Sequence, residues 1–340
     1  MYPSVGVKKA APTHIVANFG QHPFSYDIDV LVQTPRSRDV YTIGWICYLP
    51  LELTAASLML DVVHPMLPAE PTDQNTYVLG SIGHHNIVIV TPVGQYRTSS
   101  AAELRGELLS TFTAIRLCVL VGIGGGVPSP TDDIRLGDVV VGVPKGVSAG
   151  VIEYDLSGNS RRGQSWRPPP RYLSTVVSLF GAQLRTGFSL GNCFAAHITT
   201  SETATRFARP SRGDRLYKAE YQHIEGSDTC LNCDESQLVQ RPLRLDGPVI
   251  HYGLIASGNQ VLKDARIRDQ LSKDNVLCVE SAAAGFIHNV PSLVIRGISD
   301  YADSHKNHDW QGYAAAGAAA YAKKFLLAVD LLVHSNHKLK

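Results

Sequence analysis

Asp300, Glu52 and Glu280 each stand just beyond an apolar, strand-like run. Ligands of open α/β sheets gather at that end of the strands. Asp300 follows LVIRGIS (Leu293–Ser299). A carboxylic acid there can protonate a leaving heterocycle, such as a purine at N7, with Ser299 orienting it. A loop-capping aspartate is the alternative. Glu52 lies in the first turn after the first apolar run, where a carboxylate can act as general base on a water. It could equally do no more than face the positive end of the helix. Glu280 opens the segment ESAAAGFIH after VLCV, and the same two readings apply.

Other residues carry weaker signals. In VGIGGGVP (Val121–Pro128) an apolar run passes into glycines. Glycines there admit a flat ligand or a phosphate close to the backbone, or they make a tight turn. Val127 breaks the G-x-G-x-x-G spacing of a dinucleotide site. Arg97, beside Thr98, Ser99 and Ser100, precedes a helix start and suits ribose or phosphate oxygens; a solvated surface arginine is the alternative. Cys230-x-x-Cys233 with His223 nearby makes half a zinc site, and only His251 or an aspartate could complete it. Plain loop cysteines are the first reading, so no metal and no cofactor is expected. Arg206, Arg209, Arg212 and Arg215 could reach phosphates or form a solvated loop, and the solvated loop is preferred.

These residues need an α/β frame. The run Val40–Pro50, with Pro50 at a first helical position, leads into LELTAASLML. A strand follows at Asn86–Val93, and Ser100-Ala-Ala-Glu103 reads as a capping box that starts a helix. The strand Leu117–Ile123 then runs into the glycines. Strands at Asp138–Pro144, Val249–Ser257, VLCV and SLVIRGIS follow, and a helix spans about 310–334. This alternation predicts one domain, with a mainly parallel, mixed central sheet and helices on both faces. Residues 1–38 read as a tail or linker, 39–336 as the domain, and 201–247 as an insert or lid.

Composition sets further bounds. The 340 residues are 44% hydrophobic and 18% charged, with a formal net charge of +1. No global field draws in nucleic acid or an anionic membrane. No apolar run reaches the roughly 20 residues that span a bilayer. The first residues lack the apolar core of a signal peptide. Cys47, Cys118 and Cys278 sit in apolar runs and read as buried thiols of a reducing compartment, cytoplasm or nucleus.

The order of the pieces is more specific than any one of them. IGWICYLPLE, VGQYRTSSAAE, VGIGGGVP, LGDVVVG, GLIASGNQV, VLCVESAAAG and VIRGISDYAD together resemble the purine nucleoside phosphorylase and methylthioadenosine nucleosidase superfamily. The likeness spans about residues 40–334. DRLYKAEYQH and CLNCDESQLVQRP resemble a fungal subgroup, whose domain often stands alone or fronts large NLR-like proteins. The resemblance implies that Asp300 protonates the purine and Ser299 orients it, while Glu52 activates water. It implies that Gly124 and Gly125 border base and ribose, and that Gln260, Val261 and Leu262 meet the base edge. Arg97 and Ser99 fall on the sugar side, where Arg97 replaces a small residue and hints at a phosphate.

Glu280, Ser281 and Ala282 fall on the family's E-M-E segment, whose second glutamate grips the ribose hydroxyls. Ala282 removes that grip, a loss of about 2–4 kcal/mol or about 10²–10³ in rate. Either the chain is impaired, or it is a binder, or Glu280 or Ser281 takes over the contact. By resemblance, phosphorylases of the hexameric branch place an arginine in the first strand–helix loop. CYLPLE has none and offers Glu52 instead, which would repel phosphate. The expected function is hydrolysis of the N-glycosidic bond of a purine, foremost an adenine, nucleoside or nucleotide, with water as nucleophile. The alternatives are a phosphate-dependent phosphorylase and a catalytically silent purine sensor. A homo-oligomer is expected, with no nucleic-acid or membrane partner.

Overall fold

The computed structural model describes residues 16–18, 23–25, 37–68, 70, 73–92, 98–144, 150–155, 160–161, 171–184, 194–197, 200–227, 229–244, 247–286 and 290–337. The chain divides into two compact units, Met1–Thr34 and Pro35–Lys340. In the first, where a tail without regular structure is expected, β1 (Val16–Asn18) and β2 (Pro23–Ser25) pair antiparallel.

The second unit carries an eleven-stranded mixed sheet. Its strands are β3 (Ile43–Ile46), β4 (Val62–Val63), β5 (Thr76–Ile82), β6 (His85–Thr91), β7 (Leu117–Gly126), β8 (Val139–Gly142), β9 (Val151–Tyr154), β10 (Ser160–Arg161), β11 (Ile250–Ser257), β12 (Val276–Glu280) and β13 (Ser292–Asp300). The helices are α1 (Pro50–Leu58), α2 (Thr98–Thr111), α3 (Arg171–Leu184), α4 (Ser201–Arg206), α5 (Ala265–Ser272), α6 (Ala283–Phe286) and α7 (Gln311–His337).

The central strands are mostly apolar on both faces because both sheet faces are covered. Ile43, Trp45, Ile87, Ile89, Val119 and Leu293 join the core under α1, α3 and α7. The alternate residues Ile46, Val88, Val90, Leu120 and Val294 join the core under α2 and α6. Period-two alternation of side chains sorts one apolar run onto two faces. Helix α7 lies directly on β13 at Gly297, where a Cβ would collide with the Ala314 carbonyl.

Parallel pairs join β3 to β6 and β7, β7 to β13, and β11 to β8, β9 and β12. Antiparallel pairs join β13 to β8 and β12 to β7. Hence β7, β13, β8, β11 and β12 close into a ring, from which the flat part of the sheet extends through β3. The register of β13 on β7 shifts at Ser299: Ile298 faces Gly124, and Asp300 faces Gly125. A bulge of this kind re-aims the side chain that follows it.

Several sequence expectations need correction. Strand β7 continues through Gly126, so its glycines belong to the strand and make no turn. Glu280 is the last residue of β12 and does not open a helix. Helix α2 begins at Thr98, two residues before the expected capping box. The strands β5 and β9 and the helix α3 carried no clear sequence signal of their own.

Candidate active site

Helix α1 starts with Pro50, which needs no N–H partner at that position. Its Glu52 carboxylate turns back to the helix start. Oε2 accepts N–H bonds from Tyr48 (2.8 Å) and Leu49 (3.0 Å), and Oε1 accepts one from Ile123 of β7 (2.7 Å). A carboxylate has about four acceptor positions, so one remains. Glu52 is 5% exposed. Burial pushes its carboxyl above the ordinary value of 4.5, while Arg296 and the three N–H donors oppose that rise.

Arg296 sits mid-strand in β13, opposite Gly122. A Cβ on Gly122 would run into Glu52 Oε1 and come within 2.6 Å of Arg296 Nη1. The glycine is what admits both groups. Arg296 Nη2 donates to Glu280 Oε2 at 2.7 Å. Both Glu280 oxygens also accept from Ala283 N–H (3.0 Å), and Oε2 accepts from Ala282 N–H (3.0 Å). Burial works against the Arg296 charge, but Glu280 and then Glu52 outweigh it and hold the guanidinium above its ordinary value. Two carboxylates thus share one guanidinium, all three 8% exposed or less. The Tyr48 hydroxyl is buried beside this cluster without a hydrogen-bond partner among the described residues. Burial, and next Glu280, push its phenol well above the ordinary range.

The second acidic group lies farther along β7. Asp300 Oδ2 accepts from Ser299 Oγ (2.8 Å) and from the Lys306 ammonium, and Oδ1 accepts from Ala302 N–H (2.9 Å). Ala302 is fully buried with φ of 53°, a left-handed conformation that is uncommon outside glycine. A Cβ on Gly125 would lie 2.9 Å from both Asp300 Oδ1 and Ala302 Cβ. The glycine run thus lets buried acids approach the strand. Glu52 meets β7 at Gly122 and Ile123, and Asp300 meets it at Gly125. The cleft that reaches Asp300 is bordered by Arg212, Tyr217, Cys230 and His305.

The other expected site residues are scattered. Gly124 packs against Cys278 and Arg296. Val261 is 56% exposed and Gln260 is also exposed, whereas Leu262 is buried among Val127, Val279 and Ala302. Ser281 is half-buried and Ala282 buried. Glu280 faces inward, committed to Arg296. Arg97 lies outside the described residues, and Ser99 belongs to the first turn of α2.

Arg215 pairs with Glu235, Arg209 stacks over Trp310 at 5.8 Å, and Arg206 is exposed. His251 is bound to Asp138 at 2.9 Å and so cannot complete a site at Cys230 and Cys233. Those two cysteines are free thiols of the loop stretch, and both are buried. Cys47, Cys118 and Cys278 are buried free thiols. Burial pushes all three up, Cys118 to about 12.

Sequence reasoning passed over Arg296, Lys306 and Tyr48. Arg296 had a signal: a lone cation inside an apolar strand must find a buried partner. Lys306 had none, because the turn after Asp300 alone brings it back.

No family model matches the chain. Solved structures share its architecture. Futalosine hydrolase of Helicobacter pylori superposes with a TM-score of 0.52 at 17% identity, over 86% of this chain and 98% of that one. The 5′-methylthioadenosine/S-adenosylhomocysteine nucleosidase of the same organism gives 0.53 at 15%, over 84% and 98%. A putative nucleosidase of that name from Borrelia burgdorferi, bound to adenine, gives 0.53 at 14%, over 84% and 99%. The fold is that of these nucleosidases.

In sequence the chain is 39% identical over 322 residues to a nucleotide-binding leucine-rich repeat (NLR)-like protein of Hyaloscypha variabilis, covering 92% of this chain and 32% of the relative. The chain thus spans about a third of that relative's length. Among the described residues no helix is long and apolar enough to cross a membrane.

Proposed function

We propose that the chain is a purine nucleosidase that hydrolyses the N-glycosidic bond of an adenine-type nucleoside or nucleotide. The observation that carries this reading is the seating of two buried carboxylates, Glu52 and Asp300, against the glycine run of β7 within a nucleosidase fold. The fold neighbours bind adenine and its nucleoside analogues, which supports a purine.

In the reaction, water adds to the anomeric carbon as the bond to purine N9 breaks. Glu52, through its one remaining acceptor position, takes the proton that water gives up. Asp300 delivers a proton to N7, so base and sugar leave as neutral products. Lys306 donates to the same Asp300 oxygen and holds that carboxyl in position against the base. Arg296 brings a cation beneath the first loop, but Glu280 and Glu52 leave the trio with a net negative charge. Phosphate is disfavoured there, and water is the nucleophile.

A second reading rests on Ala282. With that position apolar and Glu280 committed to Arg296, the segment 280–282 offers no free carboxylate to the ribose hydroxyls. The NLR-like relative is about three times longer, which fits a purine-binding module of a larger protein.

One assay separates the readings. The chain and its Ala282→Glu variant are incubated with adenosine, inosine, guanosine, methylthioadenosine, AMP and ATP, with and without phosphate, and free base is quantified. Base release without phosphate, lost in Asp300→Asn, is expected. Thermal stabilisation by a purine with no release from either form would replace the enzyme with the binding module.

A further inference from the structure

Beyond the carboxylates, the described residues hold one further cluster of metal-binding side chains. Cys230, Leu231 and Asn232 form a 3₁₀ turn. Residues three apart eclipse on such a turn, so Cys230 and Cys233 present their sulfurs on one side. Both cysteines are buried free thiols, in a small core with Tyr217, Tyr221 and Leu238. His223 joins them, and the ligand atoms of all three residues lie within 4.8 Å of one another.

The histidine is held for the task. Its backbone N–H donates to Ser304 Oγ (3.0 Å), and its Nε2 meets the Thr229 carbonyl at 3.2 Å. A carbonyl only accepts, so Nε2 carries the proton and Nδ1 keeps its lone pair for a ligand. A ring N–H fixed on a backbone carbonyl is the usual support of a metal-bound histidine. His305 lies next to it, the rings 5.4 Å apart. It is 7% exposed, and its Nε2 has no hydrogen-bond partner among the described residues.

We infer that His223, Cys230 and Cys233 bind a tetrahedral zinc-class cation, with a water in the fourth position on the side of His305. Metal–sulfur bonds of about 2.3 Å put two sulfurs on one ion about 3.7 Å apart, so the cluster need contract by only about 1 Å. Binding converts both thiols to thiolates and releases two protons, with no change of oxidation state. An oxygen-preferring ion such as Mg²⁺ would not choose two sulfurs. The ion would tie the stretch around 217–238 to Ser304–Asn307, because His223 N–H donates to Ser304 Oγ (3.0 Å) and Asn307 Nδ2 donates to Cys230 Sγ (3.7 Å). Lys306, the partner of Asp300, lies in that same turn.

The test uses the full chain, produced with zinc and purified without chelator. Elemental analysis should find about one zinc per chain, as a single closed site requires. The metal should fall to background in Cys230→Ser/Cys233→Ser and drop severalfold in His223→Ala. Should those variants fail to fold, the unmodified chain can be stripped and reloaded with Co²⁺. A thiolate-to-cobalt charge-transfer band with strong tetrahedral visible bands is then expected. Zinc at background in the unmodified chain, no thiolate band with Co²⁺, or a Cys230–Cys233 disulfide after reducing purification would each overturn the inference.

Discussion

The inner cluster of Glu52, Arg296 and Glu280 and the outer one around Asp300 use the same residue types to different ends. The inner groups are set by helix α1 and strands β12 and β13. Most of their hydrogen-bonding positions are taken by backbone N–H groups or by each other. Asp300 is set by a bulge and a strained turn, is paired with the half-buried Lys306, and opens on a cleft bordered by the stretch beyond α4. A carboxylate saturated by backbone donors mainly holds elements together. One held partly by side-chain donors and open on a cleft can exchange a proton with a ligand. The comparison assigns stability chiefly to the inner cluster and proton delivery to the outer one.

Substitutions can break that contrast. Arg296→Met leaves Glu280 buried without its counter-charge and should destabilise the fold by about 3–5 kcal/mol, read from the denaturant midpoint. A midpoint within experimental error of the parent would show that the inner trio is not structural. Asp300→Asn should leave that midpoint nearly unchanged and, under the nucleosidase reading, lower base release by about 10²–10⁴. A large stability loss with activity retained would reverse the assignment of the two regions.

Glu52 connects the regions, and pH separates its roles. Its folded pKa is raised above 4.5, so it favours the folded state most at pH below that value. The contribution is lost as pH rises through the raised folded value. Glu52→Gln should flatten stability against pH over this window. As general base, Glu52 must be ionised, so the acid limb of kcat/KM should lie above the ordinary carboxylate range and vanish in Glu52→Gln. A limb at or below 4.5 in the parent would remove Glu52 from the chemistry.

Lys306→Met removes one donor from Asp300 at a half-buried place. About a tenfold fall in turnover is expected, equivalent to about 1.4 kcal/mol, with little change in melting temperature. The smallest effect belongs to the exposed pair Arg215–Glu235, whose side chains are 24% and 69% exposed. Arg215→Ala should cost less than about 1 kcal/mol and weaken further in salt.

Much of the frame was legible in the residues themselves. Runs such as VYTIGWI, LCVLVGI and SLVIRGIS are apolar at most steps on both faces, which strands covered on both sides favour. The end of β13 therefore marked Asp300 and Ser299 as neighbours of a ligand position. The weaker strands β5 and β9 were not legible, because half-polar runs of that length also suit loops. The start of α2 was placed too late because S-A-A-E matches a capping box wherever it falls, and the helix extends past it.

The sequence alone determined which segments are buried, where the chain alternates strand and helix, and that acids stand at strand ends. These follow from local periodicity, which each segment carries by itself. Only the tertiary structure decided that Arg296 lies between two glutamates, that Gly122 and Gly125 admit buried acids to the strand, and that Lys306 returns to Asp300. It alone placed His223 beside Cys230 and Cys233 and gave His251 to Asp138. Those pairings depend on strand register, on the bulge at Ser299 and on the closed ring of strands. They join residues distant in the chain and leave no local trace.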